Sequence, residues 1–382
     1  MQARRIVVVA HKFHTTAEDE LVAYLNLRGA PEVLNVRHSF SDAPDRRSAY
    51  RLYRRGTLVA EGATRDFAGL PEPLIYLKEL WFTAWWILWF GGRWDRYIAV
   101  DGLLSFFGLL LRAVGAVRLV SYWCLDFVPE QRFASGLKNA IYRWINRYAS
   151  LHADEMWDHT ELMVTSKREL LGLTPESYRA HFIVPYGIWV DRIRRYHYEA
   201  CEQHTLVFVG HMLEKQGVQL VLRAIPEIVR TIPDFRFRVI GTGEYRPDLD
   251  RLVEELGVQP WVEFTGRIES DLEMEDALAR SAAAIAPYIK ELDTFTQFGA
   301  DPGKVKNYLG CGLPVLITDV PWIARALAER GCGELIEDNP ASIAAAVVRW
   351  LTDAERNQAA RDAALEYALT FDNARLYDAL PL

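Results

Sequence analysis

Residues 205–244 read TLVFVGHMLEKQGVQLVLRAIPEIVRTIPDFRFRVIGTGE. The run 205–209 is short, apolar and uninterrupted, which is typical of a parallel strand buried on both faces. The segment 217–231 has the apolar spacing of a helix, and 235–240 is a second apolar strand. A strand, a helix and a strand of these lengths predict a βαβ unit, whose strands lie in one parallel sheet.

The same alternation continues to the C terminus and also occupies the N-terminal half. After residue 244, strands are predicted at 262–265, 283–286, 314–317 and 333–336, with helices at 248–256, 271–281, 304–310, 323–329, 341–352 and 355–371. Before residue 205, strands are predicted at 6–10, 32–36, 97–100, 119–123, 155–158 and 182–185. Residues 41–72 are interrupted by Arg, Gly and Pro and give no clear assignment.

The pattern predicts an α/β protein of two Rossmann-like, doubly wound domains that face a cleft. The chain of 382 residues is too long for one ordinary core. We predict an N-terminal domain over 1–190 and a C-terminal domain over 204–364, separated by the polar segment 191–204. A C-terminal helix over about 365–382 is expected to pack back on the first domain.

The composition is typical of a folded protein. The two halves of the chain differ in net charge. Half of the residues are apolar and a quarter are charged. Residues 1–200 carry a net charge of +4 and the remainder −11, which suggests different partners for the two halves. No basic run is longer than a pair, so no nucleic-acid partner is expected.

The cysteines and the N terminus indicate a cytoplasmic protein. The four cysteines are widely spaced and form no CxxC pair, which favours reduced thiols. Met1–Arg5 leads straight into the first strand, so no signal peptide is expected.

Glycine-rich loops follow three strands of the C-terminal domain, where ligands of doubly wound sheets bind. Gly210 opens a loop that contains His211 and Lys215, and the next helix offers its free N–H groups to an anion. Two further loops begin after the following strands. They contribute Gly241, Gly243 and Arg267 as candidate ligand-binding residues.

The stretch 301–315, DPGKVKNYLGCGLPV, is the most informative for function. Pro-Gly bends the chain and frees backbone amides before a predicted helix. Lys304 stands in the first turn of that helix, where the helix dipole disfavours a cation. A phosphate bound at this helix end would reverse the local field, so Lys304 is a candidate phosphate ligand.

The order of these segments resembles the donor domain of family 4-type glycosyltransferases of the GT-B fold. The segments are G-[RH]-x(3)-K-x-G at 210–217, I-G-x-G-E at 240–244, F-x-G-x-I at 264–268 and D-P-G-K-V-K-x-Y-L-x-x-G-x-P-V at 301–315. The resemblance covers about 205–370 and extends more weakly over 150–190.

The resemblance implies that the C-terminal domain binds a nucleotide-sugar donor. His211, where the family usually has arginine, and Lys215 would face the diphosphate. Lys304 and the amides of Gly303–Val305 would hold the phosphates or the sugar.

The family's pair of glutamates is absent in this register. The second position falls on Asn307, which can hydrogen-bond ribose hydroxyls, and the first falls on Gly299. Another acidic residue would then supply the carboxylate: Glu291, Asp293 or Asp301.

The first domain is expected to carry the acceptor. Asp126 follows a predicted strand, where the family often shows an HD…P segment, although Leu125 replaces the usual histidine. Asp126 is either an acid–base or orienting group or a turn residue before Pro129. His11 and His14 follow the first strand and either line the cleft or are polar surface.

A tryptophan-rich segment, 81–90, lies at the end of the apolar stretch 74–90 and has two interpretations. It is either a buried helix or an interfacial helix at a membrane surface. The basic first half favours attraction to anionic lipid. The expected location is cytoplasmic, with possible peripheral attachment to the inner face of the membrane.

The resemblance therefore implies a retaining glycosyltransferase that moves a sugar from a nucleotide-sugar to a glycan or lipid-linked acceptor. We expect no cofactor and no metal; the D-L-D pair Asp248 and Asp250 falls in a predicted surface helix. Two alternatives stay open. One is a GT-B epimerase or hydrolase that acts on the sugar nucleotide, and the other is a sugar-nucleotide-binding protein without catalysis.

Overall fold

A computed structural model describes residues 5–12, 17–39, 45–67, 69–125, 127, 132–293 and 301–382. The chain divides into two compact units, one made of Met1–Pro185 with Leu376–Leu382 and the other of Tyr186–Arg375. The sequence predicts a linker at 191–204, but this segment belongs to the second unit. Val190, Ile193 and Tyr198 explain the difference, because these apolar side chains are buried in that unit's core.

The first unit is built on a mixed sheet, which has eight strands in the part of the chain described. They are β1 (Arg5–Lys12), β2 (Glu32–Ser39), β3 (Ser48–Arg54), β4 (Thr57–Ala63), β5 (Trp94–Val100), β6 (Val117–Cys124), β7 (Glu155–Asp158) and β8 (His181–Ile183). Their spatial order is β4-β3-β2-β1-β5-β6-β7-β8. β3 pairs antiparallel with both β2 and β4, and the other pairs are parallel.

The hairpin of β3 and β4 occupies the stretch that the sequence left unassigned. Arg55 and Gly56, which join the two strands, both have positive φ, as the tight turns of β-hairpins require. The first sheet is therefore wholly parallel only from β2 to β8, which corrects the expectation of an entirely parallel sheet.

Helices connect the strands of this sheet and pack on it. They are α1 (Ala17–Leu27), α2 (Glu72–Trp89), α3 (Gly102–Ala113), α4 (Gly136–His152) and α5 (Glu161–Leu171). β1 shows why the sheet needs cover on both faces, since every residue of its run Ile6–Ala10 is fully buried.

The second unit has a six-stranded sheet in its described part, and every strand pair is parallel. Its strands are β9 (Glu202–Val209), β10 (Arg236–Ile240), β11 (Val262–Gly266), β12 (Ser281–Ala286), β13 (Val315–Thr318) and β14 (Gly333–Ile336). The order is β11-β10-β9-β12-β13-β14. This is the parallel, doubly wound sheet that the sequence predicts.

Helices cover both faces of the second sheet. They are α6 (Val218–Thr231), α7 (Arg246–Leu256), α8 (Asp271–Ala279), α9 (Gly303–Gly310), α10 (Ala324–Glu329), α11 (Pro340–Thr352) and α12 (Ala354–Ala368), followed by α13 (Asn373–Asp378). Residues of β9 alternate between the two core layers. Leu206 and Phe208 enter one layer, and Val207 and Val209 enter the other.

Each sheet reverses its order at one central strand. β1 lies between β2 and β5, and β9 lies between β10 and β12. At such a switch point the neighbouring connections run to opposite faces, and the carboxyl ends of the two strands leave a crevice for ligands. The loops after β1, β5, β9 and β12 are therefore the first places to look for a site.

Candidate functional site

The loops after β9, β10 and β12 approach one another so closely that glycine is required. A Cβ atom on Gly241, whose φ is +134°, would lie 2.1 Å from the carbonyl oxygen of Gly210. On Gly217 (φ +74°) it would lie 1.8 Å from the carbonyl oxygen of Pro287, and on Gly243 2.3 Å from a backbone oxygen of the β9 loop. These predicted glycines thus fix the shape of the loops at the switch point.

Lys304 lies in the first turn of α9, next to these loops. Its Nζ lies 4.4 Å from the ring centroid of Phe208 and 4.5 Å from that of Tyr288. It also donates a hydrogen bond to Oε1 of Gln216. Phe208 lies near the end of β9, the strand at the switch point, and Tyr288 follows β12. The side chain is therefore held between the two strands where a ligand is expected.

The ammonium group of Lys304 is poorly solvated. Burial lowers its pKa to about 7; Asp293 acts in the opposite sense, and the neighbouring Lys215 lowers it further. A lysine whose protonated form is stabilised so weakly gains from the arrival of an anion. The lowered pKa of Lys304 is therefore consistent with a site that binds the negatively charged phosphate of a ligand.

Lys215 is the second cation of the cluster. Its Nζ lies 3.1 Å from Oδ1 of Asp293, whose side chain is fully buried in the loop after β12. The carbonyl oxygen of Lys215 accepts a hydrogen bond from the amide of Ile289 at 3.0 Å, which ties the β9 and β12 loops together. Asp293 is one of three acids that the sequence offered as a substitute carboxylate, and the structure places it beside both lysines.

The amides at the start of α9 are only partly available. The N–H of Val305 donates to the carbonyl oxygen of Pro302 at 2.9 Å, and the side chain of Val305 is buried. This removes one of the three amides that the sequence assigned to phosphate binding and leaves those of Gly303 and Lys304. Asn307 lies one turn further along α9 and is partly exposed.

Asp301 stabilises the loop before α9, and its carboxylate does not face the expected nucleotide-sugar site. Its carboxylate accepts hydrogen bonds from the buried Lys306, from the amide of Tyr186 at 2.7 Å and from Nε1 of Trp322 at 3.2 Å. Burial lowers the pKa of Lys306 to about 8 while Asp301 raises it. The structure thus corrects the assignment of Asp301 as a residue that binds the nucleotide-sugar, because its carboxylate oxygens are turned inward to these three N–H groups.

His211 and Arg267 are less closely connected to the cluster. His211 is exposed in the loop after β9. Arg267 follows β11, which β10 separates from β9, and its Nε pairs with Glu269 at 3.1 Å.

In the first unit, His11 lies at the switch point and is held by two carboxylates. Its Nδ1 is 2.7 Å from Oδ2 of Asp101, and its Nε2 is 3.0 Å from Oε2 of Glu79. Burial alone would lower its pKa, but Asp101 and Glu79 outweigh burial and raise it to about 10. His11 is therefore an imidazolium at neutral pH. The sequence leaves His11 as either a cleft-lining residue or polar surface, and a side chain that is only 11% exposed is not plain polar surface.

Asp101 is the solvent-facing member of this group. It directly follows β5 and has a φ of +119°, which is rare for a residue with a side chain. Its Oδ1 accepts the amide of Leu104 at 2.8 Å and caps α3, and a third of the side chain is exposed. Glu79 is buried, and its Oε1 has no hydrogen-bond partner among the described residues.

Sequence reasoning missed Asp101 and Glu79. Asp101 had a usable signal, since it comes directly after the apolar strand 97–100, as His11 does after the first strand. Glu79 was visible only as a charge inside an apolar segment. Asp126, His14 and Gly299 lie outside the described residues.

The tryptophan-rich segment lies in the helix α2, which is not wholly buried; its membrane attachment stays a prediction. Ile75, Trp86 and Ile87 are buried, whereas Trp81 and Trp89 are exposed. One face thus packs on the unit and the other meets solvent. Among the helices described, none combines the length and apolar character needed to cross a membrane.

A family model described as glycosyl transferases group 1 matches residues 203–353, which cover the loops around Lys304. A curated relative is the GDP-mannose-dependent alpha-(1-6)-phosphatidylinositol monomannoside mannosyltransferase of Mycolicibacterium smegmatis. It is 24% identical over 247 residues, which are 59% of this chain and 55% of the relative. The chain thus spans about half the length of this relative.

Solved structures match over almost the whole chain. Sucrose-phosphate synthase from Thermosynechococcus elongatus has a TM-score of 0.71 at 14% identity, with 98% of this chain and 96% of that chain covered. The Anabaena protein HepE in complex with UDP has a TM-score of 0.70 at 14% identity, with coverages of 98% and 97%. These matches confirm the two-domain α/β fold that the sequence predicts.

Proposed function

We propose, on the premise that this is a GT-B chain whose residues 203–353 match the group 1 glycosyltransferase family, that it is a glycosyltransferase. It transfers a sugar from a nucleotide-sugar to a hydroxyl group of a glycan or lipid-linked acceptor, with retention of the anomeric configuration and without a metal ion. The observation that carries this proposal is Lys304, held between β9 and β12 beside Lys215.

The cluster of Lys304 and Lys215 is suited to the diphosphate of the donor. The bond between the anomeric carbon and the diphosphate oxygen breaks during transfer, so negative charge grows on the leaving diphosphate. Cations fixed in a poorly solvated site stabilise that charge more than they would in water. Gly210 leaves the approach to the lysine open, since a Cβ atom there would lie 3.5 Å from its Nζ.

The relatives support the choice of ligand. The fold neighbour HepE was solved with UDP, and also with UDP-glucose. The matched mannosyltransferase uses GDP-mannose and acts on a phosphatidylinositol mannoside, as its name says. We therefore propose a nucleoside diphosphate sugar as donor and include a lipid-linked sugar among the acceptors, with the enzyme at the cytoplasmic face of a membrane.

Asp101 is the proposed acceptor-side group. The imidazolium of His11 holds its Oδ2 at 2.7 Å, and the cap on α3 holds its Oδ1. A carboxylate fixed in this way, and exposed at the end of β5, can accept a hydrogen bond from an acceptor hydroxyl and orient the oxygen for attack. In this proposal His11 is a positioning residue, and Glu79 keeps it charged.

A donor screen tests the proposal. Thermal unfolding is followed with UDP-glucose, GDP-mannose and dTDP-glucose, because a true ligand at 100 times its Kd stabilises the folded protein by about 2.7 kcal/mol. Lys304→Ala is expected to abolish the shift. Lys290→Ala, at an exposed lysine in the loop after β12, is the matched control and is expected to keep it.

Turnover separates transfer from its alternatives. The expected result is release of nucleoside diphosphate only when an acceptor is present. Free sugar or an epimerised donor formed without acceptor would instead identify a hydrolase or epimerase. Binding without any turnover over a broad acceptor panel would identify a non-catalytic binding protein.

A further inference from the structure

Large apolar side chains are exposed on one part of the first unit. Of the twenty large hydrophobic residues that are exposed among those described, twelve lie on α2, α3 and α4 or at the C-cap of α3. They are Leu74, Leu77, Trp81, Trp85, Leu88, Trp89, Leu110, Val114, Leu137, Ile141, Trp144 and Tyr148. We call these twelve residues the apolar face. Contiguous apolar surface of this kind on a soluble domain marks an interaction site.

The three helices form one layer. α3 packs against both α2 and α4. The ring of Phe106 on α3 lies 5.6 Å from that of Trp144 on α4, and Nζ of Lys138 on α4 lies 2.7 Å from Glu72 at the start of α2. The exposed residues of the three helices therefore belong to one continuous surface.

α4 is amphipathic in the sense opposite to a helix of a soluble protein. Its buried residues are small or polar: Asn139, Asn146, Ala149 and Ser150. Its exposed apolar residues are spaced by four, three and four positions, which places them in a stripe about 60° wide at 3.6 residues per turn. They are Leu137, Ile141, Trp144 and Tyr148. A water-facing surface normally shows the reverse distribution.

α2 also exposes a large apolar face. Its inner face buries Ile75, Trp86 and Ile87 together with the polar residues Glu79 and Thr83. Its outer face presents tryptophans, of which Trp81 is 64% and Trp89 is 68% exposed. The outer face thus carries more tryptophan than the inner face, which a surface that meets only water does not require.

The charges of α4 indicate what the apolar face contacts. The segment 136–152 contains no Asp or Glu. Lys138 and Arg147 flank the apolar stripe at about 90° on either side, and Arg143 lies about 40° beyond Arg147. All three are exposed. Basic residues beside an apolar, aromatic stripe match the headgroups and acyl boundary of an anionic bilayer.

We propose that the apolar face docks on an anionic lipid bilayer, with α2 and α4 lying in its interface. This deepens the membrane location given above and rests on that part of the proposed function. A second copy of the chain is a poorer occupant, because a self-complementary contact through α4 would bring its basic flanks together. The aromatic residues then sit at the headgroup level and the basic side chains reach the phosphates.

Co-sedimentation of the full-length chain with sucrose-loaded vesicles tests the proposal. The vesicles contain phosphatidylcholine alone or phosphatidylcholine with 30 mol% phosphatidylglycerol. Binding is expected on the anionic vesicles at low salt, with a marked loss in about 1 M salt, where screening acts within about 3 Å. Arg143→Gln with Arg147→Gln is expected to lower the partition coefficient about 30-fold, about fivefold for each charge.

Matched variants separate docking from folding and from catalysis. Trp85→Ser with Trp144→Ser is expected to lower binding about tenfold or more, since both indoles leave the interface. Leu27→Ser, at an exposed residue of α1, is expected to leave binding unchanged. All variants are expected to keep the thermal shift with a nucleotide-sugar, so failure of docking and failure of donor binding are distinguishable.

Three results would overturn the inference. They are no binding to anionic vesicles at low salt, equal binding to neutral and anionic vesicles, and a dimer in light scattering that the tryptophan variant dissociates. The last result would assign the apolar face to contact between two copies of the chain.

Discussion

Donor binding should be coupled to uptake of a proton at Lys304. In the free protein, burial lowers the pKa of this lysine to about 7, so the amine is largely neutral at pH 8. A bound diphosphate beside Nζ favours the ammonium form and raises the pKa again. Because only the protonated lysine binds well, affinity should be full below pH 7 and should fall as the pH rises above it.

The magnitude follows from the displacement of the pKa. Each pH unit above the free-state pKa costs 1.36 kcal/mol, or a factor of ten in affinity. Between pH 6 and pH 9 the dissociation constant of a nucleotide-sugar should therefore rise about 100-fold, equivalent to about 2.7 kcal/mol. At pH 8, binding should take up about 0.9 proton for each molecule bound.

Isothermal titration calorimetry measures both quantities. The ligand is the nucleotide-sugar with the largest thermal shift, because its diphosphate is a diester without an ionisation near neutrality. Titrations in two buffers of different ionisation enthalpy give the number of protons taken up. Lys304→Arg is the control, since arginine keeps its charge at pH 9 and should give a flat pH profile. A wild-type affinity that is constant from pH 6 to 9, with no proton uptake, would refute the role given to this lysine.

Three further outcomes are expected. Gly217→Ala should cost about 3 kcal/mol or more in urea unfolding, since its Cβ atom would strike the carbonyl of Pro287; Gly257→Ala, with φ +66° but open space, should cost only about 1 kcal/mol, and equal costs would contradict the close approach. Lys306→Met should cost about 3–5 kcal/mol, because it leaves a buried carboxylate unpaired, and a change below about 1 kcal/mol would show that the ion pair is not needed. Asp101→Asn keeps the helix cap but should lower turnover about 100-fold with an unchanged donor thermal shift, and unchanged turnover would remove this residue from the acceptor site.

The sequence predicted the second unit well because its signals are local. Apolar runs such as 205–209 are buried on both faces, and the glycines after them sit where the backbone leaves no room for a side chain. The hairpin of β3 and β4 was harder, because its edge strand β4 is largely exposed, β3 is only partly buried, and neither carries a continuous apolar run. Its only local signal is the dipeptide Arg55-Gly56.

The sequence predicted a site residue only where the residue's place next to a strand or helix end was itself the signal. Lys304 could be found from its place at a helix start, but the rings of Phe208 and Tyr288 around it come from two distant strands. Likewise His11 could be found after its strand, whereas its charge depends on Glu79 and Asp101, which only the sheet order brings near. Asp301 was misassigned because its partners are equally remote in sequence.

A crystal structure of the protein with the nucleotide-sugar that gives the largest thermal shift is the most direct test of the donor site. The diphosphate is expected within hydrogen-bond distance of Nζ of Lys304, in front of the carboxyl ends of β9 and β12, with Lys215 as the next cation. A nucleotide-sugar bound elsewhere on the chain, or one whose diphosphate contacts neither lysine, would contradict the assignment.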